Sequence, residues 1–422
     1  MGVIYKATLL SPETPSKIKA WQQGYLAVSA RGVIEDIGQL DLREKYPSYI
    51  FKDFSGSLIT PSFVDLHNHL PQYAFAGLGD GELLTWLKKY AFPREAMFSD
   101  AAVARAAAEH FFNDLISNGT TTTVTYSTVH KSSTDMAFEA AHKSGLRAVI
   151  GKVVMTANAP KGLRESETNA LNDTESLIGK WHGANDKLFY AITPRFAPSC
   201  GFGVMQSLAR LAERYGVYVQ THLAENAAEL AEVKRLFPKF KSYTDVYRKA
   251  GLLTPKTIAA HGIYLSDAEL KIIEHTETKL AHCPTSNRFL KSGIMPFRKY
   301  QQRGLSLGLG TDVAGGYSLS MLNEMKEAIE NSKLRSLFFS PEDSPPMSVA
   351  EAFYLATLGG AKALSLQHRT GSLAKGKDAD FLIIDIEPAL PLLMPLERLS
   401  KLIYRGDAGW IRHVFVQGKR LK

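Results

Sequence analysis

Cysteine is scarce in this chain of 422 residues. Cys200 and Cys283 are the only two, and neither lies in a CxxC arrangement. That excludes a disulfide scaffold, and two isolated thiols in so long a chain suit a reducing compartment. Long apolar runs are missing as well. None reaches the roughly 18 residues of a membrane span. The first ten residues are too few and too broken by polar side chains to be a secretion signal. The chain therefore reads as cytoplasmic, with no membrane partner. Charge of one sign is also in short supply: 50 Lys and Arg face 42 Asp and Glu, a net +8. The basic residues are scattered, with no stripe of basic and aromatic residues interleaved, so no nucleic-acid partner is expected. No internal repeat or low-complexity tract stands out.

What is present is an ordinary soluble composition, 45% hydrophobic and 22% charged, in a chain long enough for one large domain and a smaller one. Both ends are β-rich. Residues 24–29 (GYLAVS), 32–38 (GVIEDIG), 381–386 (FLIIDI) and 414–417 read as short strands. Residues 1–60 and 366–422 are expected to pair into one small β-sandwich domain. Between them, residues 61–365 alternate apolar runs with helical stretches. Eight runs are found, at 57–67, 120–126, 147–155, 188–196, 217–223, 257–263, 279–284 and 305–312. Helical segments such as 101–117, 135–142, 204–214 and 227–236 separate them. Buried strands alternating with helices imply parallel sheet. Eight units predict an α/β fold, a (β/α)8 TIM-like barrel.

The chemistry gathers at the ends of these runs. The first ends in His67-Asn68-His69, and side chains two apart on a strand share a side. The fifth ends at His222 with Glu225 just beyond, the sixth at His261 and the eighth at Asp312. In a barrel the C-terminal strand ends meet on one face. Three histidines and a carboxylate converging there suit zinc, with iron as second choice. His282 ends the seventh run, where a role behind the site and a plain structural one are both open, as they are for Asn287. The histidines at 110, 130, 142, 182, 275, 368 and 413 lie away from strand ends and receive no role.

The pattern resembles the amidohydrolase superfamily over nearly the whole chain. Residues 61–69 (PSFVDLHNH) are similar to its first-strand signature, and 371–380 (GSLAKGKDAD) to its return into the small β-domain. The fourth run ends in ITPRF (192–196) with no lysine to bridge two metals. The resemblance therefore implies one metal per chain, held by His67, His69, His222 and Asp312. Residues 71–77 (PQYAFAG), 193–196 (TPRF), 310–318 (GTDVAGGYS) and 356–361 (ATLGGA) are similar to the guanine-deaminating branch, and 197–200 (APSC) departs from it.

That branch implies a small-molecule purine substrate, hydrolysed at C2 to xanthine and ammonia, and a homodimer. Asp312 would take the proton of the attacking water. Glu225 would protonate ring N3 and His261 would stabilise the tetrahedral centre. Arg195 would donate to O6, Gln72 would pair with the amide edge, and Phe196 would pack near the purine. The alternatives are a deaminase of another azine, such as a pterin or 8-oxoguanine, and a non-catalytic scaffold. Residues 304–308 (GLSLG) match the GxSxG of serine hydrolases, but a helical stretch precedes them and the serine falls within an expected strand, so that reading is rejected.

Overall fold

The computed structural model describes residues 1–79, 81–386 and 394–422. Its centre is a parallel barrel. The eight barrel strands are Phe63–His69, Thr120–Tyr126, Arg147–Gly151, Leu188–Pro194, Tyr218–Leu223, Thr257–His261, Lys279–His282 and Leu307–Leu309, and each ladders onto the next in chain order. They are buried almost throughout, and barrel strand 2 (TTTTVTY) shows why they are strands. β-Branched side chains restrict the backbone to extended conformations and pack well on a pleated surface. Helices such as Ala101–Ser117, Lys131–Ser144 and Phe202–Tyr215 cover the outside. Their ends follow local chemistry. Asp100 caps the first by accepting from the Ala102 and Val103 amides. Gly216, at φ +63°, stops the third in a left-handed turn.

The two chain ends form a separate seven-stranded sheet. It is antiparallel except where Val3–Thr14 runs parallel to Ile50–Pro61. Tyr5, Leu9, Trp21 and Phe381 fill one side of it, while Ile4, Tyr25, Ala27 and Leu42 make a second cluster. Buried Arg147, at the start of barrel strand 3, ties this sheet to the barrel. Its guanidinium donates to Asp380 at 2.8 Å and Asp378 at 2.9 Å, both in the 371–380 motif.

Most runs match their strands to within two residues, and three depart further. The run 57–67 spans two strands of different sheets, Ile50–Pro61 and Phe63–His69. The run 147–155 breaks at Lys152, whose ammonium bonds Glu165 at 2.6 and 2.7 Å. The run 305–312 shortens to Leu307–Leu309, so Ser306 precedes the strand rather than lying in it. The helix Phe297–Gln302 comes before that serine and a strand after it, the reverse of a nucleophile elbow.

No ladder joins barrel strands 8 and 1. Side chains and strand-end amides close that seam instead. Buried Asp65 accepts from the Thr311 amide at 3.0 Å and its hydroxyl at 2.7 Å. Beyond it, the Asp312 amide donates to the His67 carbonyl at 2.7 Å and the His69 amide to that of Val313 at 3.1 Å.

Candidate metal centre and substrate cavity

The strand-end geometry brings the expected ligands together. His67 and His69 leave barrel strand 1 on one side, with ring centroids 5.0 Å apart. Asp312 Oδ1 lies 3.1 Å from His67 Nε2 and 3.2 Å from His69 Nε2. His222 Nε2 is 3.2 Å from His69 Nε2. Ligands about 2.0–2.2 Å from a tetrahedral zinc sit at such separations from one another. His261 is also near. His67, His222, His261 and Asp312 place ligand atoms within 4.8 Å of one another. Its ring, however, stands 5.5 Å from those of both His67 and His222. Its Nε2 lies 3.4 Å from Glu225 Oε2, against 3.8 Å from Asp312 Oδ2. His261 therefore faces the space between the carboxylates.

Partners behind the centre prepare these groups. His222 Nδ1 donates to the Arg195 carbonyl at 2.7 Å, which leaves Nε2 bare toward the centre. His261 Nδ1 donates to Asn287 Oδ1 at 2.8 Å with the same effect. Ser286 donates to Asp312 Oδ2 at 2.6 Å. Burial holds His67 and His222 below the usual histidine range and His69 at about 4, so the rings are neutral, as ligands must be. Burial works against the Asp312 charge, but His67 and His69 beside it more than offset that and hold the carboxyl well below its usual range. The buried Nε2 atoms of His67 and His261 have no hydrogen-bond partner among the described residues. Neutral nitrogens and one carboxylate oxygen turned toward a common point, with His67 Nε2 unpaired, fit a divalent ion.

The backbone is bent to achieve this. Ala224, His261 and Asp312 adopt left-handed conformations, at φ +49°, +73° and +46°. Such non-glycine positions cost about 1–3 kcal/mol each and persist where the surroundings over-determine them. The Ala224 carbonyl accepts from Ile263 and Tyr264, and the Asp312 carbonyl from Gly316. Glycine is required around the eighth strand end. A Cβ on Gly310 would meet His67 Cβ at 2.8 Å, and one on Gly315 would meet Asp312 Oδ2 at 2.7 Å.

Glu225 is 2% exposed and lies just before the helix Ala227–Leu236. Burial, with Glu229 and Asp312 adding to it, raises its carboxyl well above the usual range, which favours the protonated form. Ser292 bonds its Oε1 at 3.2 Å. Its amide donates to Glu229 Oε2 at 2.9 Å, and Tyr243 donates to the other oxygen of Glu229 at 2.8 Å.

A cavity opens onto this centre, lined by His69, His222, Glu225, Asp312 and the three expected purine contacts, Gln72, Arg195 and Phe196. Leu83, Trp86, Leu87, Leu290 and Gly315 complete it. The sequence reading missed Glu95, which accepts from Gln72 Nε2 and from Arg195, both at 2.7 Å. Burial works against the Glu95 charge, but Arg195 and Gln72 hold the carboxyl below its usual range. It also missed Ser286, Ser292 and Glu229. Only Glu229 left a trace, as the third residue after a possible Asn226 cap. Asn287 is the hydrogen-bond partner of His261. His282 is buried at the end of barrel strand 7, and its Nδ1 has no partner among the described residues.

Residues 58–421 match the amidohydrolase family. The chain is 38% identical over 407 residues to the guanine deaminase of Escherichia coli (strain K12), covering 96% of this chain and 89% of that protein. It is 34% identical over 450 residues to the guanine deaminase of Rattus norvegicus, covering 100% and 97%. The guanine deaminase of C. acetobutylicum, solved with guanine bound in its active site, superposes with a TM-score of 0.96 at 37% identity, with all of both chains covered. Motifs, barrel, strand-end donors and full-length similarity agree, and the chain belongs to the amidohydrolase family, in the branch of the guanine deaminases.

Proposed function

We propose that this enzyme hydrolyses guanine to xanthine and ammonia at a single zinc ion held by His67, His69, His222 and Asp312. The observation that carries the reading is the meeting of His67, His69, His222 and Asp312 at one point, beside a cavity lined by Glu225, Arg195 and Gln72. Full-length similarity to guanine deaminases supports it. Zinc is the ion that best suits three nitrogens and one oxygen, with iron the second choice.

When bound, the ion lowers the pKa of a water toward about 7, supplying a hydroxide nucleophile near neutrality. The protein's own groups do the rest. Asp312 Oδ2, oriented by Ser286, receives the water proton as oxygen adds to C2. Glu225 delivers its proton to N3, so the negative charge displaced from C2 is neutralised where it would accumulate. His261 Nε2, left bare by the Nδ1 bond to Asn287, accepts a hydrogen bond from the hydroxyl on the tetrahedral carbon. The proton on Asp312 then reaches the exocyclic amine, the C2–N bond breaks and ammonia leaves, and the C2 hydroxyl returns its proton to Glu225 as the carbonyl of xanthine forms. Arg195 donates to O6, Gln72 meets the amide edge of the ring, and Phe196 packs near the purine.

In this reading, residues 61–365 are the catalytic unit and 1–60 with 366–422 a bracket around it. A cytoplasmic setting is supported by the free, buried Cys200 and Cys283. No helix among the described residues is long and apolar enough to cross a membrane. Assembly as a homodimer rests on the family resemblance. The test is ammonia release from guanine, adenine, pterin and 8-oxoguanine, before and after chelation. Guanine is expected to be the preferred substrate, with activity lost on chelation and restored by zinc. A preference for pterin or 8-oxoguanine would reassign the substrate.

A further inference from the structure

Glu95 sits on the short helix Phe92–Ala96, between barrel strands 1 and 2. It is 4% exposed, and nothing in the mechanism above uses it. It reaches two side chains from distant parts of the chain. Gln72 follows barrel strand 1, and Arg195 follows strand 4. One carboxylate oxygen accepts from Gln72 Nε2 and the other from Arg195 Nη1, each at 2.7 Å. Phe92, three residues earlier on the same helix face, lies 5.2 Å from the Arg195 guanidinium carbon. One helix thus grips the arginine by charge and by ring.

This carboxylate settles an ambiguity in Gln72. A carboxamide can present either its oxygen or its nitrogen, and the two orientations occupy the same space. An ionised carboxylate only accepts, so the Gln72 nitrogen must face Glu95. The Ala314 amide independently donates to Gln72 Oε1 at 3.3 Å, which fixes the oxygen on the other side. Each recognition side chain keeps N–H groups with no protein partner among the described residues, and both side chains line the cavity. The cavity wall therefore offers donors from Gln72 and Arg195 together. Two donors match a carbonyl and oppose an amino group.

We propose that Glu95 is a specificity-determining positioning residue, which orients Gln72 and Arg195 as a joint donor pair and so selects purines bearing a 6-oxo group. This rests on the assignment of the cavity to guanine. It adds that the choice between 6-oxo and other 6-substituents is made by a residue that never touches the ring. In a buried site built to donate hydrogen bonds, a ligand lacking the acceptor leaves donors unpaired, which is the strongest form of discrimination available to binding.

The experiment uses the full chain loaded with zinc, and its Glu95→Gln and Glu95→Asp variants. Guanine and 2-aminopurine are compared as substrates. Hypoxanthine and purine, which lack the leaving amine, are compared by calorimetric titration. The wild type is expected to prefer the 6-oxo member of each pair. Glu95→Gln is expected to lower kcat/KM for guanine about 10- to 100-fold, chiefly through KM, because charged hydrogen bonds are lost. Zinc content and the value for 2-aminopurine should stay close to wild type, and hypoxanthine should lose its advantage over purine. Glu95→Asp keeps the charge but draws it back by one methylene, and should fall between the two. It carries the comparison alone if the glutamine variant does not fold. Parallel losses on both members of a pair, or an undiminished 6-oxo preference in either variant, would overturn the inference. If the wild type releases no ammonia from guanine, the proposed activity fails, and the binding pair alone then decides the role of Glu95.

Discussion

Glu225 and Asp312 are both buried carboxyls beside the same centre, yet their environments drive them apart. Asp312 has histidines and a serine hydroxyl around it and stays ionised. Glu225 is buried and faces other acids, Glu229 and Asp312, and its carboxyl is raised well above the usual range. Such divergence of neighbouring groups is how one site holds a base and an acid at the same pH. Replacing Glu225 by Gln preserves size and leaves the ligands untouched. Zinc content should be unchanged while kcat falls by about 10²–10⁴, the usual contribution of a positioned proton carrier. Steady-state rates together with elemental analysis check this, and near-normal turnover would remove Glu225 from the mechanism. The residues legible in the sequence were those at strand ends, where position alone announces a shared face. Glu95, Ser286 and Ser292 were not legible, because each matters through a partner distant in the chain.

The seam between barrel strands 8 and 1 governs the scale of elements. His67 and His69 hang from one side of it and Asp312 from the other. No ladder spans it, so Asp65 substitutes with bonds to the Thr311 amide and hydroxyl, and the Asn68 side chain on its own strand donates to it at 2.8 Å. Asp65→Asn would turn a donor toward two donors. We expect zinc affinity to fall about 10- to 100-fold, as for other partners that orient ligands. Competition with a chromophoric chelator measures this, and wild-type affinity would show that the seam holds without Asp65. The strands themselves were legible because buried parallel strands are continuous apolar or β-branched runs. Their ends were less so. The run 57–67 crosses from one sheet to another with no change in composition, and the eighth strand gives way early to the glycine turn that carries Asp312.

At the scale of the whole molecule, two expectations follow. The proposed centre is expected to be mononuclear, since by the family resemblance a second ion needs a bridging lysine and barrel strand 4 ends in Thr193-Pro194-Arg195. Elemental analysis should find about one zinc per chain, with activity tracking occupancy, as expected for an open catalytic site. Two ions per chain, or full activity with none, would contradict it. The barrel and the terminal sheet meet at Arg147, whose partner Asp380 is itself wholly buried. Arg147→Ala would strand that carboxylate, an outcome that typically costs about 3–5 kcal/mol. Denaturant unfolding reads the loss directly, and a change under 1 kcal/mol would mean the junction is held by other contacts.

The order of apolar runs and helices determined, without any coordinates, that this chain would close into a barrel. The placement of His67, His69, His222, His261 and Asp312 at run ends determined that these side chains would converge at its mouth. These features are legible because side-chain period and burial act locally. Tertiary structure alone decided which sheet each half of the first run joins and how the last strand meets the first. It also decided which way the Gln72 amide faces and that Glu95 stands behind it. Those outcomes depend on distances between groups far apart in the chain, and no local pattern encodes a distance across a fold.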